Sequence, residues 1–126
     1  MKPFTPLPFE IGQWIRLGSI SLTVNNFDAI IARNSDNKLV IIDVTIENEG
    51  TKVIEYDSKE FILRGRKGYI YYQIEPKEKP TLGKKTLPAH SKIKDRVTFE
   101  IPMGAYVELI YQPKWWNGKQ IIVRLE

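Results

Sequence analysis

The chain contains no cysteine and a single histidine, His90. The first absence excludes a disulfide framework, a thiolate metal centre and a cysteine nucleophile. The second leaves too few of the usual ligands for zinc. It also makes His90 the sole imidazole base for any hydrolytic triad, and it stands in a Pro-Ala-His-Ser turn where Ser91 is a neighbour in sequence only. No apolar run approaches the ~20 residues that cross a bilayer as a helix. The opening MKPFTPLPFE has prolines at Pro3, Pro6 and Pro8 and no apolar core, so it is read as an extended lead-in over residues 1–9 and not as a signal peptide. The expectation is that any export or anchor segment is absent from this chain. No glycine-rich phosphate loop is present, because Gly65–Gly68 has neither the spacing nor a following helix. Apolar residues never recur at helical spacing for more than about a turn, which argues against an α-helical fold.

What the 126 residues do contain is alternation; 42% are hydrophobic and 27% charged, within the globular range. The segment KLVIIDVTIENEG places Val40, Ile42, Val44 and Ile46 in one phase and Asp43, Thr45 and Glu47 in the other. That is a half-buried strand, stopped by Asn48-Glu49-Gly50. Ile20, Leu22 and Val24 repeat the pattern, as do Phe61 and Leu63, then Val97, Phe99 and Ile101, then Val107, Leu109 and Tyr111, then Ile121, Val123 and Leu125. Tyr69–Ile74 reads as a strand with aromatics on both faces. The stretch Glu75–His90, with Pro76, Pro80, Gly83 and Pro88, reads as loop. Asn117-Gly118 is the dipeptide preferred by a tight hairpin turn. Seven to nine short strands with regular turn signals predict an all-β antiparallel sandwich or barrel in one domain, residues 10–126.

Three of these pieces occur in a recognisable order: the opening Ile11–Leu17 and Ile20–Val24, then VIIDVTIENEG, then LPAHSKIKDRVTFEIP. This order resembles a family of prokaryotic immunoglobulin-like domains of unknown function, found in secreted proteins and lipoproteins and similar in fold to a small secreted mycobacterial antigen. The resemblance runs from about Glu10 to Leu125. It implies an immunoglobulin-like β-sandwich and an extracytoplasmic, cell-envelope address. It implies no catalytic residue and no cofactor. The chain departs from the family pattern at Ala89-His90, where glycine often follows the Leu-x-Pro turn, and in lacking a lipid-attachment cysteine.

Charge is asymmetric along the chain. Residues 1–58 hold five basic against eight acidic residues, a net of −3, and residues 59–126 hold fourteen against seven, a net of +7. A basic half invites a polyanion partner, and solvated strand faces look the same. Tyr69, Tyr71, Tyr72, Trp115 and Trp116 lie among Arg64, Arg66, Lys67, Lys114 and Lys119, which makes a single-stranded nucleic-acid surface on a cytoplasmic β domain the alternative function. Asn34, Asp36 and Asn37 form an oxygen-rich loop without calcium-site spacing. The leading expectation is a non-enzymatic protein-interaction module of an envelope or surface assembly. Its expected contact, with protein or glycan, uses Trp116 as anchor, Lys114 and Lys119 as rim, and Tyr71 nearby, with self-association through edge strands as a further possibility.

Overall fold

The computed structural model describes residues 9–31, 36–65, 68–74, 84–104, 107–113 and 119–125. In chain order the strands are β1 (Phe9–Glu10), β2 (Trp14–Leu17), β3 (Ile20–Ile31), β4 (Asn37–Asn48), β5 (Ile54–Asp57), β6 (Phe61–Gly65), β7 (Ile70–Tyr71), β8 (Lys84–Leu87), β9 (Ser91–Pro102), β10 (Val107–Tyr111) and β11 (Ile121–Arg124), with a 3-10 turn at Ser58–Glu60. Nine of these have four or more residues, while β1 and β7 have two each.

Two principal sheets form. One has the order β1-β11-β10-β6-β7 and the other β2-β3-β4-β9; β5 and β8 make a separate two-stranded ribbon. All pairings are antiparallel except β1 with β11. This is the expected immunoglobulin-like β-sandwich. Strand β4 is its centre: it pairs with β3 on one side and, over its whole length from Asn37 to Asn48, with β9 on the other. Because side chains alternate across a strand, the apolar phase of β4 lies on one face of the sheet. Val40, Ile42, Val44 and Ile46 are buried there beside Val97, Phe99 and Ile101 of β9. They share one core cluster with Phe61, Leu63, Val107, Leu109, Tyr111, Ile121 and Val123 of the facing sheet. The Phe61 and Tyr111 rings stack at 4.3 Å, and Tyr56 meets Phe61 edge-on.

Three elements differ from the sequence expectation. Lys84–Leu87, within the stretch read as loop, is strand β8; it pairs with β5 and buries Leu87. Tyr69–Ile74 contributes only the two residues of β7, then leaves its sheet: Gln73 bridges to Phe99, and the Ile74 N–H donates to Thr98 O at 2.9 Å. At this departure the Gln73 side-chain amide donates to the carbonyls of Ser58 and Phe61. Finally, β3 does not end at Val24 but continues to Ile31 through a bulge between Val24 and Asn26.

Candidate functional site

Of the residues expected to form a contact surface, Trp116, Trp115 and Lys114 lie outside the described residues. Lys119 is exposed just before β11, while Tyr71 on β7 is half-buried and packed against the core. Strands β10 and β6 lie between β11 and β7, so the fold does not bring Lys119 and Tyr71 together. The aromatics that the β7 segment presents to solvent are Tyr69 and Tyr72, 65% and 72% exposed. The β10–β11 ladder opposes Tyr111 to Ile121.

The oxygen-rich loop fares similarly. Asn34 is outside the described residues. Asn37 belongs to β4 and donates to Glu100 Oε2 at 3.3 Å, and Asp36 O accepts from the Met103 N–H. Among the described residues no three His, Asp or Glu gather as a metal site. His90 adopts φ 55°, the left-handed region that favours glycine. Ser91 Oγ donates to Pro88 O at 2.6 Å, closing the turn and not engaging His90.

Two buried polar nodes were not anticipated. Asn48 is fully buried. Its Nδ2 donates to Lys52 O at 2.8 Å and to Leu87 O and Pro88 O at 3.2 Å each, and its Oδ1 accepts from Gly50 N at 3.0 Å. Two N–H bonds serve three carbonyls here, so one is shared. Asn48 thereby joins two of the three motifs that carry the family resemblance. Gly50 fits because a Cβ there would stand 2.9 Å from Ser19 Cβ.

The second node is Asp95, which falls on the core-facing phase of β9, opposite Val44. Its side chain is 5% exposed. Asp95 Oδ2 accepts from Tyr56 Oη at 2.9 Å and lies 3.4 Å from Lys85 Nζ, while Oδ1 accepts from Arg96 N at 2.9 Å. Burial, reinforced by the Asp95 charge, pushes the Tyr56 phenol far above its ordinary range. The carboxylate is thus engaged by β5, β8 and its own strand, which suits it to holding the ribbon onto the sandwich. The sequence signal was present: in IKDRVTFEIP, Asp95 is in phase with Ile93, Val97, Phe99 and Ile101.

The edge of β3 is only partly paired among the described residues. Strand β2 covers β3 only from Ile20 to Thr23, and Gly12 N extends the pairing to Val24 O. From Asn26 to Ile31 the side of β3 away from β4 has no strand partner among the described residues. The bulge shifts the phase, so that Phe27, Ala29 and Ile31 follow the core-facing residues Ile42, Val40 and Lys38 of β4, and Asn26, Asp28 and Ile30 lie on the outer face. On the core-facing side the sandwich no longer covers the end of β3, where Ile31 is 70% exposed, and on the outer face Ile30 is 52% exposed.

Comparison with known proteins agrees with this architecture. The sequence profile of a family described as a domain of unknown function (DUF4352) matches residues 9–121. Among solved structures, the yjhA protein of Bacillus subtilis is 23% identical, with a TM-score of 0.75 over 94% of this chain and 99% of that one. The secreted protein MPT63 of Mycobacterium tuberculosis is 11% identical, with a TM-score of 0.67 over 95% and 99%. A protein described as a lipoprotein, ycdA of Bacillus subtilis, is 15% identical, with a TM-score of 0.69 over 88% of this chain and 38% of that one. No curated protein matches the sequence. At these identities the likeness is one of fold.

Proposed function

The chain belongs to the DUF4352 family of domains of unknown function, and on that premise we propose that it is a non-enzymatic protein-interaction module of a bacterial cell-envelope or surface assembly, working outside the cytoplasm. The address is supported by structural relatives described as a secreted protein and a lipoprotein. Among the described residues no helix is long and apolar enough to cross a membrane.

The observation that carries the interaction role is the open edge of β3. An unpaired strand edge offers a row of backbone donors and acceptors to another strand, and folded proteins normally blunt such edges with lysine, proline or a covering element. The stretch Phe27–Ile31 has neither lysine nor proline, and two isoleucines stand exposed on it. Strand addition at such an edge is a recurring mode of protein recognition. The non-enzymatic part is supported by the chemistry of the polar nodes: Asp95 and Asn48 are consumed by structural hydrogen bonds, and Ser91 by its turn.

The test is a capture from the envelope fraction of the source organism, with Ile30→Lys as the matched control. The expected result is an envelope protein recovered by the native domain, which binds it again when both are purified and loses binding at least tenfold with Ile30→Lys. Equal recovery by both forms, at unchanged melting temperature, would remove β3 as the contact.

A further inference from the structure

The chemistry of the β3 edge also says what kind of strand it takes, if the reading of that edge as a contact is right. Between Asn26 and Ile31 the edge carries one charge, Asp28. It is exposed and has no ion pair among the described residues. The cation nearest in the sheet, Arg96, is already bound to Asp43 at 2.8 Å, and Asp28 adds only a minor attraction to it. On the outer face Asp28 lies between Asn26 and Ile30, and on the other face the flanking side chains are Phe27 and Ala29. Residues directly opposite one another in adjacent strands interact, with opposite charges stabilising and like charges destabilising, and β-branched residues packing well beside aromatics.

We propose that the β3 edge receives an extended segment of a partner protein that sets a lysine or arginine opposite Asp28, with β-branched residues on either side of it. A second copy paired through its own β3 edge is the poorer occupant. Its own β3 edge has no cation to offer, and antiparallel pairing of Phe27–Ile31 with itself brings both Asp28 carboxylates onto one face of the joined sheet. The incoming residues beside the cation fall on the face shared with Phe27, Ala29 and Ile31, where they cover apolar surface that the sandwich leaves open.

Two nine-residue peptides of alternating threonine and valine, one with a central lysine and one with a central glutamate in place of the middle threonine, are titrated into the isotopically labelled domain and followed by amide NMR. The lysine peptide is expected to shift the resonances of Asn26–Ile31 and to bind about three- to fivefold more tightly than the glutamate peptide at low salt. Asp28→Lys, an exposed change, is expected to reverse that order. Peptides that bind the β3 edge equally, or an order that Asp28→Lys leaves unchanged, overturn the basic partner while leaving the edge as a contact. If neither peptide moves the β3 resonances, the contact reading itself fails. Concentration-dependent shifts of β3 without peptide, with a sedimenting dimer, overturn the proposal in favour of a second copy.

Discussion

Asn48 shows how one side chain can hold two turns together. Its amide bonds to the backbone of Gly50, Lys52, Leu87 and Pro88 tie the end of β4 to the turn before β9. Removing it takes a partner from the buried Leu87 carbonyl and from the part-buried Lys52 carbonyl and Gly50 N–H, while Pro88 O keeps Ser91 Oγ, and each such loss costs about 1–3 kcal/mol. Asn48→Ala is therefore expected to destabilise by about 3 kcal/mol or more in urea unfolding. Asn48→Asp should cost no less, because a carboxylate faces the three carbonyl oxygens that the amide nitrogen served. Tyr56 and Tyr111 supply a pH dependence. Burial raises both phenols above their ordinary value, with Asp95 adding to Tyr56 and Glu60 to Tyr111. An unfolded phenol ionises near pH 10, so below that pH both states keep their protons and stability is unaffected. Above it the unfolded state releases protons that the folded state retains, and stability falls as pH rises. Tyr111→Phe is expected to change the urea midpoint little at pH 7 and to reduce the loss between pH 7 and pH 11. An unchanged alkaline loss would assign it to other groups.

Strands whose apolar residues keep a strict phase are the ones the sequence makes legible. On β9, Phe99 is fully buried and its neighbour Thr98 only half so. Phe99→Ala is expected to cost about 3–5 kcal/mol and Thr98→Ala less than about 1 kcal/mol, by chemical denaturation; equal costs would mean that the faces of β9 are misassigned. Alternation located β4, β6, β9 and β10 in the same way. It failed where a local event interrupts the period. In β3 the apolar phase passes from Ile20, Leu22 and Val24 to Phe27, Ala29 and Ile31, and only a one-residue bulge reconciles the two. In β8, Lys84-Lys85-Thr86 offers no alternation, and only Leu87 reaches the core. The proposed contact edge was less legible than the fold. The tryptophans on which the sequence reading builds its contact lie outside the described residues, whereas the β3 edge is defined by a neighbour, β2, that stops short, and strand length in one element carries no mark in the sequence of another.

At the scale of the molecule, the acidic first half and the basic second half meet across the central ladder. The β4–β9 ladder sets Asp43 opposite Arg96 and Glu47 opposite Lys92. With acid and base interleaved on one face, the expected binding to a single-stranded oligonucleotide is weak, indifferent to sequence and lost on raising salt from 50 to 200 mM. Micromolar binding at physiological salt, by fluorescence polarisation, would restore the nucleic-acid alternative. The same ladder governs how the chain reaches its fold. It joins residues as far apart as Asn37 and Glu100, 63 positions along the chain, and contacts of such separation are closed late and slowly, on the millisecond-to-second scale of all-β domains. During synthesis the β3–β4 hairpin exists before its second neighbour does. Until the ribosome has delivered residue 102, the central strand waits with a bare flank, and a nascent chain stalled before β9 exposes the very backbone groups that β9 pairs from Asn37 to Asn48 in the finished protein.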